Sequence, residues 1–176
     1  DPVFLTPNNY SGMMLLFATI LFAFQIYCDF NGYTQIAIGS ARVLGINLNQ
    51  NFNVPYMGRS IKDFWRRWHI SLTSWFTDYL YIPLGGNKKG RIRKQINTMI
   101  VFICSGLWHG AAWHYVIWGG INGLFSVLED LLKPIKSRLL IRLHIDTNKF
   151  MYKMAQRLLT FMLIDFTWLF FRATSF

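Results

Sequence analysis

From residue 95 to residue 128 the chain carries no Asp, Glu, Lys or Arg. A helix without charge all round is buried in a large core or lies in a membrane. About 20 mostly apolar residues cross a bilayer's hydrocarbon core of roughly 30 Å. At about 1.5 Å per residue, a straight helix over the whole run overshoots that core. Basic clusters stand on both sides of it. Either the second cluster faces the opposite side of the membrane, or the run bends within it. Gly106, Gly110, Gly119, Gly120 and Gly123 offer places for a break or re-entrant turn.

The net charge of +10 invites comparison with nucleic-acid binders. The placement of the charge argues otherwise. Basic residues concentrate in 59–67, 88–94 and 133–157, with uncharged stretches between. A nucleic-acid domain spreads its cations over one folded face, whereas a membrane protein puts them at the ends of its spans. No nucleic-acid partner is expected. Cys28 and Cys104 sit in apolar runs and are expected to be buried, inert thiols rather than a disulfide framework. The first ten residues are polar and turn-rich and carry no basic, signal-like start.

Three further segments are informative. Residues 13–28 are apolar except for Thr19 and Gln25, and the expected span closes at Asp29. Small residues follow in 31–41 at helical spacing, which suits close helix packing, and 45–55 reads as an Asn-rich loop. Residues 62–81 are expected to form one interfacial helix. Phe64, Trp65, Trp68, Leu72, Trp75, Phe76 and Tyr79 share one face; Lys62, Asp63, Arg66 and Arg67 share the other, with Asp63 and Arg67 spaced to pair. Pro83, Gly85 and Gly86 end it in a turn. Residues 133–153 read as a surface connection with an interfacial helix, and 158–171 as a last, short apolar segment that gains length from its flanks. The fold class expected is all-α: a polytopic helical membrane protein with interfacial and re-entrant helices.

Four histidines are the main chemical candidates. His109 lies inside the uncharged run between Gly106 and Gly110. An ionisable group at membrane depth is costly, so it marks either a functional site or a hydrogen bond that joins helices. The residues alone leave those two readings level. His69 stands where the aromatic stripe meets the basic face; an interfacial structural role and a proton-accepting role are both open. His114 follows His109 by five residues, about 140° round a helix. That spacing makes no paired metal site, and no metal is expected. His144 lies in a basic connector and reads as a surface residue. Asp165 is unusual inside its apolar segment, and Asp29 closes one. The loop 88–94 is either a topology signal or an attractor of an anionic donor.

Five stretches, in order, carry a resemblance: YCDFNGYTQIAIGSARVLG, NFNVPY, FWRRWHISLTSWFTDYLYIPLGGNKKG, SGLWHGAAWHYVIWGGINGL and WLFFRA. Together they resemble the membrane-bound O-acyltransferase family, and within it the bacterial branch that acylates extracellular polymers such as alginate, peptidoglycan and teichoic acid. Asn31, Thr34 and Gln35 depart from the first motif as it often stands in that family, where Ser, Ser and Asp occur. The resemblance implies a many-helix fold with a central tunnel. It implies catalytic roles for His109, as the active-site base, and for His69, as the second histidine beside the tunnel. It implies transfer of an acyl group, an acetyl, from a thioester donor such as acetyl-CoA to a hydroxyl, with no permanently bound cofactor. The expected partners are membrane lipid, the acyl donor and an extracytoplasmic acyltransferase or esterase-like protein. The expected location is the bacterial cytoplasmic (inner) membrane, crossed several times. Residues 1–176 are then the central catalytic portion of one domain, with further helices on both sides. The competing reading is a transporter or channel-like subunit without chemistry of its own.

Overall fold

The computed structural model describes residues 2–173, and among these every regular element is helical. The chain divides into two compact units, residues 1–50 and 51–176.

In the first unit a short turn, α1 (Pro2–Leu5), precedes the long helix α2 (Gly12–Val43). The Ser11 hydroxyl caps the start of α2 by accepting from the Met14 N–H at 3.4 Å. The helix runs straight through Asp29, which corrects the expected closure there. One carboxylate leaves the backbone hydrogen bonds of a helix intact. What stops α2 is Gly45: at φ +77° it takes the left-handed turn that a side chain resists. Gly45 N–H then bonds the Arg42 carbonyl at 3.0 Å, and Ile46 N–H bonds the Ala41 carbonyl at 2.9 Å. Cys28 is exposed, against the expectation of a buried thiol, because α2 buries only Ala23, Thr34 and Ile38. Helix α2 and the last helix are both long and apolar enough to cross a membrane, by length and composition.

In the second unit the expected single helix over 62–81 is two: α3 (Ile61–Trp65) and α4 (Ile70–Phe76), which widens into a π turn over Thr77–Tyr81. Ser60 caps α3, and Arg67 Nε donates to Asp63 Oδ1 at 2.9 Å, the pairing expected from their spacing. The aromatic stripe is not buried throughout. Phe64, Trp68 and Phe76 are buried, while Trp75 and Tyr79 stay exposed. The uncharged run bends: α5 (Arg91–His109) and α6 (Trp113–Arg142) form an antiparallel hairpin closed at Gly110. Only Gly110 of the five glycines makes the break; Gly106 and Gly119 let the two helices meet backbone to backbone, and Gly123 makes room for the Met99 and Phe102 side chains. Helix α6 continues through Pro134 to Arg142, so most of the expected surface connection is helix. Proline lacks the N–H that would serve the Asp130 carbonyl, and Arg91 donates to that carbonyl instead at 3.5 Å. After an exposed turn, α7 (Phe150–Arg172) packs against α6 and α3. It takes in residues 150–157 upstream of the expected apolar segment; residues 174–176, expected to extend it, lie outside the described residues.

The core of this unit is aromatic. Phe64 stacks on Trp68 at 5.6 Å, Trp68 meets Trp168 at 5.1 Å, and Trp168 stacks on Trp118 at 5.9 Å. Ring pairs of this kind add about 0.5–1.5 kcal/mol each beyond their burial. Around the core, Asp130 of α6 accepts from Lys62 of α3 and, at 2.6 Å, from Lys94 of α5, and so ties three helices together. Burial alone would raise the Asp130 pKa; the two lysines outweigh it and hold the carboxyl at about 2. A carboxyl with a lowered folded pKa contributes stability above its unfolded value near 3.8, which is lost as pH falls towards 2. Asp130→Asn is therefore expected to cost about 1–3 kcal/mol at pH 7. Melting curves in detergent should show the gap from the unsubstituted protein narrowing as pH falls from about 5 to 3.

Candidate active site

The break between α3 and α4 puts His69 in place. His69 adopts φ +46° and ψ +56°, left-handed values that cost a residue with a side chain roughly 1–2 kcal/mol. Three sets of bonds hold it there. The Asn53 N–H bonds the Arg67 carbonyl at 3.0 Å, and the Ile70 N–H bonds the Asn51 carbonyl at 3.0 Å. Thr73 Oγ1 donates to the Trp65 and Trp68 carbonyls, each at 3.3 Å. Asn51 Oδ1 accepts from Ser71 N–H at 3.0 Å and from Ser71 Oγ at 2.6 Å, and it lies 3.3 Å from His69 Nδ1. The segment 51–53, read from sequence as part of an Asn-rich loop and as the start of the NFNVPY stretch, is thus a brace for His69.

His109 is the last residue of α5, directly before the Gly110 turn. Its imidazole is half-buried among rings: Trp118 and Phe171 each at 5.2 Å, and Tyr115 at 6.1 Å. Trp108 bridges the two histidines, 5.0 Å from the His109 ring and 6.2 Å from the His69 ring.

Both histidines line one cavity of about 430 Å³. Its walls are mainly apolar and aromatic, with Trp65, Trp68, Leu72, Phe76, Val101 and Phe102 among them. On α5 the lining residues run from Lys94 through Thr98, Phe102 and Ser105 to His109. That is one helix face, about 22 Å long at 1.5 Å rise per residue. Lys62, Arg66 and Lys94 also contribute to the lining. Desolvation by burial pushes the His69 imidazole down to about 4, so it is neutral near pH 7 and holds a lone pair that can accept a proton. Residues 61–76, which carry it, form two short helices rather than a span.

The other sequence candidates lie elsewhere. His114 begins α6, across the turn from His109, and packs on Tyr115 at 4.1 Å. His144 is exposed in the turn after α6. Asp29 is exposed on α2, and Asp165 is buried within α7 without lining the cavity. Lys88 and Lys89 are exposed, and of the basic loop only Lys94 reaches the cavity. Asn97 and Ser126 also escaped the sequence reading. Asn97, fully buried, donates to the Leu84 and Gly86 carbonyls at 3.3 and 3.0 Å and pins the turn after α4 to α5. Ser126, also buried, lines the cavity from α6. Polar residues buried at helical spacing are the only signal that either one leaves in the sequence.

The probable alginate O-acetylase AlgI of Pseudomonas putida is 39% identical over 175 residues, which are 99% of this chain and 34% of that protein. The peptidoglycan O-acetyltransferase of Helicobacter pylori is 40% identical over 160 residues, 89% of this chain and 28% of that protein. The teichoic acid D-alanyltransferase of Bacillus subtilis is 38% identical over 105 residues, 56% of this chain and 27% of that protein. This chain thus spans about a third of the length of the curated relatives it matches. The model of the family described as MBOAT, membrane-bound O-acyltransferase, matches residues 4–171. All-helical, with two apolar helices of membrane-spanning length and a match over nearly its whole extent, the chain belongs to the membrane-bound O-acyltransferase family.

Proposed function

We propose that residues 1–176 are the catalytic middle of a polytopic enzyme of the bacterial cytoplasmic membrane, with further helices on both sides. The enzyme moves an acetyl group from a thioester donor, acetyl-CoA, toward a hydroxyl of an extracellular polysaccharide or cell-wall polymer. An extracytoplasmic acyltransferase or esterase-like partner completes delivery. The observation that carries this reading is the meeting of His69 and His109, forty residues apart in sequence, on one largely apolar cavity. The names of the relatives, alginate O-acetylase and peptidoglycan O-acetyltransferase, support the choice of acyl group and acceptor.

The chemistry asked of the site is modest. A neutral His109 takes the proton of the acceptor hydroxyl as its oxygen attacks the thioester carbonyl. A C–O bond forms, the C–S bond breaks, and the proton passes from His109 to the departing sulfur. The apolar walls keep water from competing with the hydroxyl for the donor. His69 lies on the same cavity and serves as the second proton-handling group.

The test uses the full-length protein in lipid vesicles with a labelled acetyl thioester and a hydroxyl acceptor. Label in the acceptor is expected. Intact donor, with no thiol released, would overturn the reading in favour of a transporter-like subunit. In the same assay His69→Ala is expected to lower the transfer rate by at least about 100-fold, the lower end of what a positioned proton-transfer group contributes. Unchanged transfer would remove His69 from the mechanism.

A further inference from the structure

We infer that Asn51 is a positioning residue that locks His69 in one tautomer, with the proton on Nδ1 and the lone pair on Nε2. The inference deepens the proposed function and rests on it.

The assignment follows from one unambiguous donor. Asn51 Oδ1 accepts the backbone N–H of Ser71 at 3.0 Å. A backbone N–H only donates, so the Asn51 atom facing it is the carbonyl oxygen and not the amide nitrogen. The same oxygen stands 3.3 Å from His69 Nδ1. An oxygen that carries no hydrogen only accepts, so Nδ1 carries the proton. A neutral imidazole has one proton, which leaves Nε2 as its basic nitrogen.

The backbone reinforces this. His69 sits in the left-handed region, and Asn51 holds the same turn through its own carbonyl, which accepts the Ile70 N–H at 3.0 Å. Asn51 therefore fixes both where the ring stands and which nitrogen can take a proton. A consequence for the role of His69 follows. With Nδ1–H committed to Asn51, neutral His69 offers a hydrogen-bond acceptor at Nε2, not a donor. It suits holding or deprotonating a hydroxyl and does not suit stabilising a developing oxyanion.

The experiment compares Asn51→Ala and Asn51→Asp in the full-length protein, with melting temperature, kcat, donor KM and the pH profile of kcat all measured. The other ionisable groups lining the cavity are Lys62 from α3, Arg66 from the break after it, Tyr81 from the π turn, and Lys94 and His109 from α5. Those groups are present in every variant, so a shift between variants reports the Asn51 position. Asn51→Ala is expected to lower kcat by about 100-fold with donor KM within about threefold, because proton handling and not donor binding is lost. Asn51→Asp keeps the acceptor oxygen and adds a negative charge beside Nδ1–H. It is expected to keep kcat within about tenfold of the parent and to move the acid limb of the profile up by about one pH unit. Asparagine acting only as a cap for α4 predicts a different pattern: Asn51→Asp as stable and active as the parent, with an unmoved pH profile. That pattern, or an Asn51→Ala protein with unchanged kcat, would overturn the inference while leaving the acyltransferase reading intact. An unsubstituted protein that transfers no acyl group would instead remove the reading on which the inference stands.

Discussion

His109→Ala in the full-length protein is expected to insert and fold normally and to lose acyl transfer by at least about 10³-fold. The imidazole is half-buried at the end of a helix whose hairpin is held by other residues. Removing it sacrifices ring contacts with Trp118 and Phe171, a loss of about 1–2 kcal/mol that the aromatic core tolerates. The chemical loss is larger because no other group on the cavity wall duplicates the histidine at that point. His109→Gln separates the two meanings of an intramembrane histidine. Glutamine can still hydrogen-bond between helices, but it cannot take a proton near neutral pH. A purely structural histidine predicts that the glutamine variant recovers transfer. A catalytic one predicts that both variants fold, by size-exclusion profile and melting temperature, and that neither transfers label. Recovery by glutamine would sink the catalytic assignment.

The second large effect concerns a residue with no chemistry. Gly119→Ala is expected to destabilise the protein by at least about 3 kcal/mol, although helix propensity alone predicts a gain of nearly 1 kcal/mol. The sign is decided by contact. A Cβ on Gly119 would run into the Phe102 backbone carbonyl and would lie 3.3 Å from the Gly106 Cα. Backbone cannot rotate away as a side-chain tip can. The two helices must separate, and His109, three residues beyond Gly106, moves with them. Gly120→Ala is the control. Nothing lies within 4 Å of a Cβ there, so only the propensity gain remains. Melting temperatures in detergent for the two alanine variants should move in opposite directions. A Gly119→Ala protein as stable as its Gly120→Ala counterpart would mean that the hairpin is looser than its backbone contacts imply.

Much of this architecture was legible from the residues, and the places where it was not have physical causes. The uncharged run left two readings open, basic clusters on opposite sides or a bend within it, and the structure has the bend. The position of the bend was harder to place, because five glycines offered it and their different jobs depend on which atoms face them across the hairpin. The continuation of α2 past Asp29 was missed because a charge looks like an end, while Gly45 is the residue that turns the chain. The stripe over 62–81 fitted one helix so well that its interruption was invisible. That interruption is imposed by residues 51–53 from outside the segment, and periodicity within a window cannot register it. His109 stood out by its isolation among uncharged neighbours. Asn51 opens the NFNVPY stretch, but nothing local to that stretch ties it to His69, 18 residues further on.

The turn between α5 and α6 is only residues 110–112. Two helices joined so tightly share one register, as two combs do when their teeth are meshed. One residue added there would advance the face of α6 by about 100° relative to α5 and carry Trp118 away from the His109 ring. The spacer is therefore as constrained as the histidine beside it, though no atom of it need touch a substrate. The exposed turn at 143–149 joins α6 to α7 under no such demand. An affinity tag or fluorescent reporter belongs in that second turn, and variation in length among related chains should accumulate there while the first turn keeps its count.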